Sequence, residues 1–263
     1  MALASFKPTI WSAALQANLE KNLVAARLTS AAYEGDAARG TTVKITKITA
    51  PTVSDYEGSI SDEAAASTTI DLLINEAKAF AVKLDDVEAA QAAAPVLAEI
   101  TARGAYELRD AIDAAVITAM IAGAAGGNAV VIDGAEAYKG LVDLGTKLTV
   151  AKTPMSGRFA LVAPDMAGAL ALDARMTRAT AAGDAVVATG MVGQAAGFDV
   201  YVSHNVPAGK IVAGHANGVA TVTQVSKVEA VRSGSSFADV VRALVVFGCK
   251  VTEPGALAVG TLD

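Results

Sequence analysis

Gly197-Phe198-Asp199-Val200-Tyr201-Val202-Ser203-His204-Asn205-Val206-Pro207 reads as a short strand closed by a turn. Phe198, Val200 and Val202 fall on one side of a period-2 strand, Asp199, Tyr201 and Ser203 fall on the other, and Asn205 and Pro207 are turn formers. No reactive cluster gathers around the segment, so it reads as framework rather than as a catalytic loop.

The composition around it sets the next limits. At 263 residues the chain can bury a sizeable core without disulfide staples. The hydrophobic fraction is 53%, the charged fraction 18% and the mean hydropathy +0.43, with alanine and valine rather than aromatics supplying the apolar excess. Such a chain either spans a membrane or covers apolar surface with copies of itself. The best membrane candidate, residues 114–132, is interrupted by Gly123, Gly126, Gly127 and Asn128 and reads as the end of a helix followed by a turn. Lys7 and Pro8 break the N-terminal apolar run, so no signal peptide is expected. Cys249 is the one cysteine, which excludes an intrachain disulfide, and a net charge of -6 argues against a dedicated nucleic-acid reader.

Charge is divided along the chain. Residues 1–47 carry a balance of +3, whereas residues 48–77 contain six acids and no lysine or arginine. Thr42 to Ile48 alternates strictly, and Thr68 to Ile74 is a second strand-like run. The polar residues between them complete a hairpin with an unusually long loop, and the divided charge belongs either to solvated loop faces or to an arm and loop that meet complementary charge on neighbouring copies.

A helical stretch is expected from Asp85 to about Gly123, opened by Asp85 or Asp86 as N-cap and kinked or divided by Pro95. Val96, Leu97, Ile100, Leu108, Ile112, Val116 and Met120 trace its apolar stripe. Beyond it the chain reads as mixed, with a strand over Phe159 to Val162 and a helix from Pro164 to about Arg175. Gly183-Asp184 and Gly190 to Gly193 read as turns, and strands return from Gln224 and over Val240 to Val251.

Candidate chemistry is sparse. The glycine-rich runs have neither the P-loop lysine nor the strand-to-helix context of a phosphate cradle. His204 and His215 lie beside turn residues and read as hydrogen-bonded surface groups, and Asp62-Glu63 and Asp85-Asp86 read as loop and cap residues rather than an acid–base pair. No catalytic, cofactor-binding or metal residue is assigned. Trp11 is either a core anchor or a docking contact onto another subunit.

Pro8, Ile10, Trp11, Ser12 and Leu15, then Leu19 to Val24, Tyr33-Glu34-Gly35, Gly40 to Ile48, Pro51-Thr52-Val53, Asp55-Tyr56, Lys78 to Asp86 and Gly197 to Pro207 together resemble the major capsid proteins of tailed phages. Lys227 to Ala230, Phe237-Ala238-Asp239, Phe247-Gly248 and Pro254 to Val259 extend the resemblance. It implies an α+β chain with the Hong Kong 97-type capsid fold: an N-terminal arm (1–38), an extended loop (39–75), a peripheral domain with a long spine helix (76–132), an axial domain (133–222) and return strands of the peripheral domain (223–263). It also implies pentamers and hexamers of an icosahedral shell around double-stranded DNA, assembled in the host bacterial cytoplasm, with portal, separate scaffold and decoration proteins as further partners and no membrane. Trp11, Arg39, Lys44, Lys47, Asp55, Tyr56 and Glu57 are the candidate inter-subunit contacts. Some members crosslink a loop lysine to an asparagine; Lys44 or Lys47 would be the available lysine, and no such bond is predicted. The alternatives are an encapsulin-like compartment shell of the same fold and a soluble α/β enzyme using His204 or His215.

Overall fold

The antiparallel hairpin expected from the alternating runs is present in the computed structural model, which describes residues 24–33, 40–53, 55, 63–85, 96–133, 136–173, 191–234 and 237–263. Strand β1 (Thr42–Ile48) pairs with β2 (Ser67–Leu73), Thr42 opposite Leu73 and Ile48 opposite Ser67. Only the root of this hairpin is packed. Val43, Ile45, Leu72 and Ile74 bury against Ala220 and Val222, whereas Ile48 further out is 77% exposed.

The expected helix start at Asp85 or Asp86 is not found. Asp85 instead ends a ten-residue strand, β3 (Glu76–Asp85), where it lies opposite Ala238. The reason is a period of two: Phe80, Val82 and Leu84 are half-buried while Ala79, Ala81 and Lys83 between them are exposed. Asp86 and Pro95 lie outside the described residues. The helix α1 (Val96–Gly123) has 28 residues, about 42 Å at the standard rise, against the roughly 55 Å of a helix running unbroken from Asp85.

Leu108, Ile112, Val116 and Met120 of the expected stripe are buried, joined by Ala105 and Ile117, and Ile100 is partly buried. The side chains of Val96 and Leu97 lie outside the described residues. This stripe serves two sheets at once. On one side it meets Ala243, Val245 and Phe247 of the long strand β10 (Ala238–Val251), the centre of an antiparallel three-stranded sheet with β3 and β9 (Val219–Arg232). Gly104 permits the close approach there, because a Cβ at this position would sit 2.5 Å from the Phe80 ring.

On its other side α1 covers Phe159, Leu161, Val212 and Leu257 of a six-stranded sheet. The order there is β4 (Ala129–Ile132), β11 (Leu257–Leu262), β8 (Lys210–His215), β5 (Arg158–Val162), β7 (Phe198–Val202) and β6 (Met191–Ala195). The opposite face of the same sheet, including Ala160, Val162, Ile211 and Ala213, packs under Leu141, Leu144 and Leu148 of α2 (Ala137–Val150) and Met166 and Leu170 of α3 (Pro164–Leu172). Covering on both faces explains why β5 is apolar without alternation.

Buried Arg158 closes the end of α2: its guanidinium donates to the Gly145 and Thr153 carbonyls and the Thr149 hydroxyl, and its Nε to the Pro154 carbonyl. A cation at a helix C-terminus also meets the negative end of the helix dipole.

Two further expectations change. Gly190 to Gly193 was expected as a turn, but Met191 to Ala195 is strand β6, and the reversal occurs at Ala196-Gly197, with φ of +50° and +82°. Two positive φ values in a two-residue loop match the twist of the flanking strands. The last strand also differs: β11 pairs parallel with β4 and antiparallel with β8, so residues 257–262 join the six-stranded sheet and only β9 and β10 form the return to the three-stranded one. Gly183-Asp184 lies outside the described residues.

Candidate assembly surfaces

Most of the hairpin's strand residues are exposed, and its root shows how it is aimed. Gly248 interrupts the apolar run of β10 directly beneath the end of β2; a Cβ here would lie 2.1 Å from the Leu73 carbonyl oxygen. The missing side chain therefore lets the hairpin cross the three-stranded sheet at backbone contact. Val246, next but one on that face, packs with the hairpin's buried residues, while Val245 and Phe247 turn toward α1. The Ile74 amide donates to the Thr41 carbonyl at 2.8 Å and closes the root.

Lys47 makes an ion pair with Glu253, which precedes the short 3-10 turn Pro254–Ala256. Both side chains are about half exposed, so the pair braces the hairpin with modest energy. A polar cavity opens beside it, between Ser30, Tyr33, Asn217 and Thr252. Lys44 lies on the exposed side of β1, opposite Asp71. Toward the tip, the Thr49 amide donates to the Ala66 carbonyl at 2.9 Å and the Thr52 amide to Glu63 at 2.8 Å, so Glu63 ties the two limbs together. Asp55 follows among exposed residues, with Val53 94% exposed nearby. Of the other sequence candidates, Trp11, Arg39, Tyr56 and Glu57 lie outside the described residues.

The turn after β7 is held to α1. His204 Nε2 lies 2.6 Å from Asp110 Oδ1, and the Asn205 amide donates to the same oxygen at 2.8 Å. His204 is thus a partner of a helix carboxylate, with most of its side chain in solvent. His215 Nδ1 accepts from the Asn217 amide at 3.2 Å and caps the 3-10 turn Ala216–Gly218. Each histidine has a structural hydrogen bond. Among the described residues no cluster of three or more His, Cys, Asp or Glu is placed to hold a metal ion, and no helix is long and apolar enough to cross a membrane.

Cys249 is partly buried beside the Ala115 carbonyl, and burial together with the nearby Glu76 carboxylate pushes its thiol from about 9 up to about 11. A thiol that stays protonated is a poor nucleophile.

Sequence reasoning missed the residues that set these surfaces: Gly248, Glu253 and the carboxylates of α1. Gly248 carried a usable signal, since a glycine inside a run of β-branched residues marks a close backbone approach. Glu253 carried none, because its partner is about two hundred residues away.

Known proteins share this arrangement. A family model described as phage capsid protein matches residues 74–260. A solved structure from Mycobacterium phage Che8 is similar with 31% sequence identity and a TM-score of 0.76, covering 91% of each chain. A capsid structure of the cyanophage P-SCSP1u has 14% identity and a TM-score of 0.66, with 86% of this chain and 84% of that one covered. The crystal structure of a virus-like particle from Pyrococcus furiosus has 12% identity and a TM-score of 0.63 over 97% of this chain and 99% of that one, a likeness of fold alone. No match to a curated protein was found. A long helix clamped between two sheets, a cantilevered hairpin, and a family match spanning most of the sequence lead to one conclusion: the chain has the Hong Kong 97-type fold and belongs to the phage capsid protein family.

Proposed function

We infer that this chain is the major capsid protein of a phage head, and that many copies tile a closed icosahedral shell through pentamers and hexamers around double-stranded DNA. The observation that carries the assembly mechanism is the hairpin: two seven-residue strands buried only at their root. An isolated two-stranded ribbon is marginal in water, so the outer half needs a surface that its own subunit does not supply. A neighbouring copy supplies it, and weak contacts repeated around a closed shell become strong together. The -6 balance of residues 48–77 fits a loop steered by complementary charge on that neighbour. Lys44 and Asp55 stand on the exposed hairpin as contact residues; Lys47 acts first within its own subunit, through Glu253. Trp11 belongs to the arm in the same scheme, Arg39 to the start of the extended loop, and Tyr56 and Glu57 to the same loop.

The net negative charge suits a container whose packed DNA stays mobile, since tight phosphate binding needs clustered cations. Assembly in the host cytoplasm, with portal, decoration and separate scaffold proteins as partners, completes the proposal. A compartment shell of the same fold would enclose an enzyme cargo instead, and nuclease-protected DNA inside purified particles separates the two.

The hairpin offers a direct test. Replacing residues 50–65 by Asn-Gly would close it with a two-residue turn between Thr49 and Ala66, which already pair. The variant should remain a folded monomer by circular dichroism and form no closed shells. Normal particles would refute the role of the loop.

A further inference from the structure

Three segments distant in sequence meet on one buried carboxylate. Asp113, on α1 and only 7% exposed, accepts a hydrogen bond from the Ala25 backbone amide at 2.7 Å through Oδ1. Its other oxygen accepts from the Ser203 hydroxyl and the Asn205 side-chain amide, each at 3.3 Å. Asn205 also reaches Asp110, one helical turn away, so the carboxylate pair grips the 203–205 turn as a unit. Ala25 opens the 3-10 turn Ala26–Leu28 at the point where residues 1–23 join the described chain. The 203–205 turn in turn links β7 to β8, two inner strands of the six-stranded sheet.

We propose that Asp113 is a coupling joint, through which the position of the N-terminal arm and the seating of the six-stranded sheet on α1 each depend on the other. A buried carboxylate is tolerated only while donors surround it, and losing one leaves charge uncompensated in a poorly solvated site. The bond lengths are unequal. The arm supplies the short bond and the turn supplies two long ones, so the turn's bonds are the weaker ones and give way when the carboxylate shifts after the arm amide leaves. Displacing the arm therefore weakens the turn's hold, and displacing the turn loosens the arm by the same coupling energy. In a shell this would let a neighbour that captures the arm adjust the tilt of the six-stranded sheet. That use rests on the capsid reading; the coupling itself does not, and it is measured on unassembled protein.

Hydrogen exchange on the monomer provides the test. Ala25→Pro removes the amide, and Ala25 already has a φ of -65°, which proline adopts. Exchange at the Ser203 and Val206 amides, which bond to Val162 and Ser203 carbonyls, should rise at least tenfold, while the β9–β10 ladder stays unchanged. In the reverse direction, Ser203→Ala should raise exchange at the Leu28 amide, bonded to the Ala25 carbonyl. If Ala25→Pro does not fold, Asp113→Asn takes its place and should loosen both segments together. Exchange that changes only beside the substituted residue overturns the proposal, as does a uniform rise across the β9–β10 ladder. Assembly failure with the coupling intact would count against the capsid reading alone.

Discussion

Gly248 shows how much one side chain decides here. A methyl group at this position would have to push the Leu73 carbonyl away, and that carbonyl is backbone with no rotamer to escape into. Gly248→Ala should cost about 1–3 kcal/mol in urea unfolding, in the range of overpacked cores, and lower the protection of the β1–β2 amides. Cys249 gives a second prediction at this scale. Its thiol is raised in the folded state, so the neutral form is favoured and its stabilisation is fully present below pH 9. As pH climbs from about 9 to about 11 the unfolded chain ionises first, and stability should fall across that window. Cys249→Ser should flatten the decline, and maleimide labelling of the native protein should stay slow at pH 8.

The elements that announced themselves in the sequence were those with a single clear period. The β1–β2 pair and the α1 stripe from Leu108 to Met120 were legible, because alternation and three-four spacing each fit one geometry. Strand β3 was not, since its exposed side is mostly alanine, a residue equally at home in a helix, and only Phe80, Val82 and Leu84 mark its period of two. Strand β6 was hidden by glycines that serve a register shift near Gly193 rather than a turn. For α1 the legible stripe leads to a strong prediction. Leu108 is 4% exposed in the core shared by both sheets, so Leu108→Asp would bury an unpaired charge. The protomer should lose more than about 4 kcal/mol and fail to fold, whereas Leu108→Met should stay native. Soluble, native-like Leu108→Asp protein would show that the stripe does not carry the core.

At the scale of the whole molecule, the fold separates what is finished from what is not. Among the described residues, the six-stranded sheet is covered on both faces and α1 packs against both sheets. The hairpin is the unfinished part, and with it the contact candidates from Lys44 to Glu57. These could be picked from charge and loop length, but the surface proposed for them belongs to another copy, and a single sequence carries no signal for it. Cryo-electron microscopy of particles assembled from the full chain tests the account most directly. It predicts closed shells in which the part of each β1–β2 hairpin beyond Lys47 lies on a neighbouring subunit. A monodisperse monomer under assembly conditions, or shells whose hairpins contact only their own subunit, would contradict it.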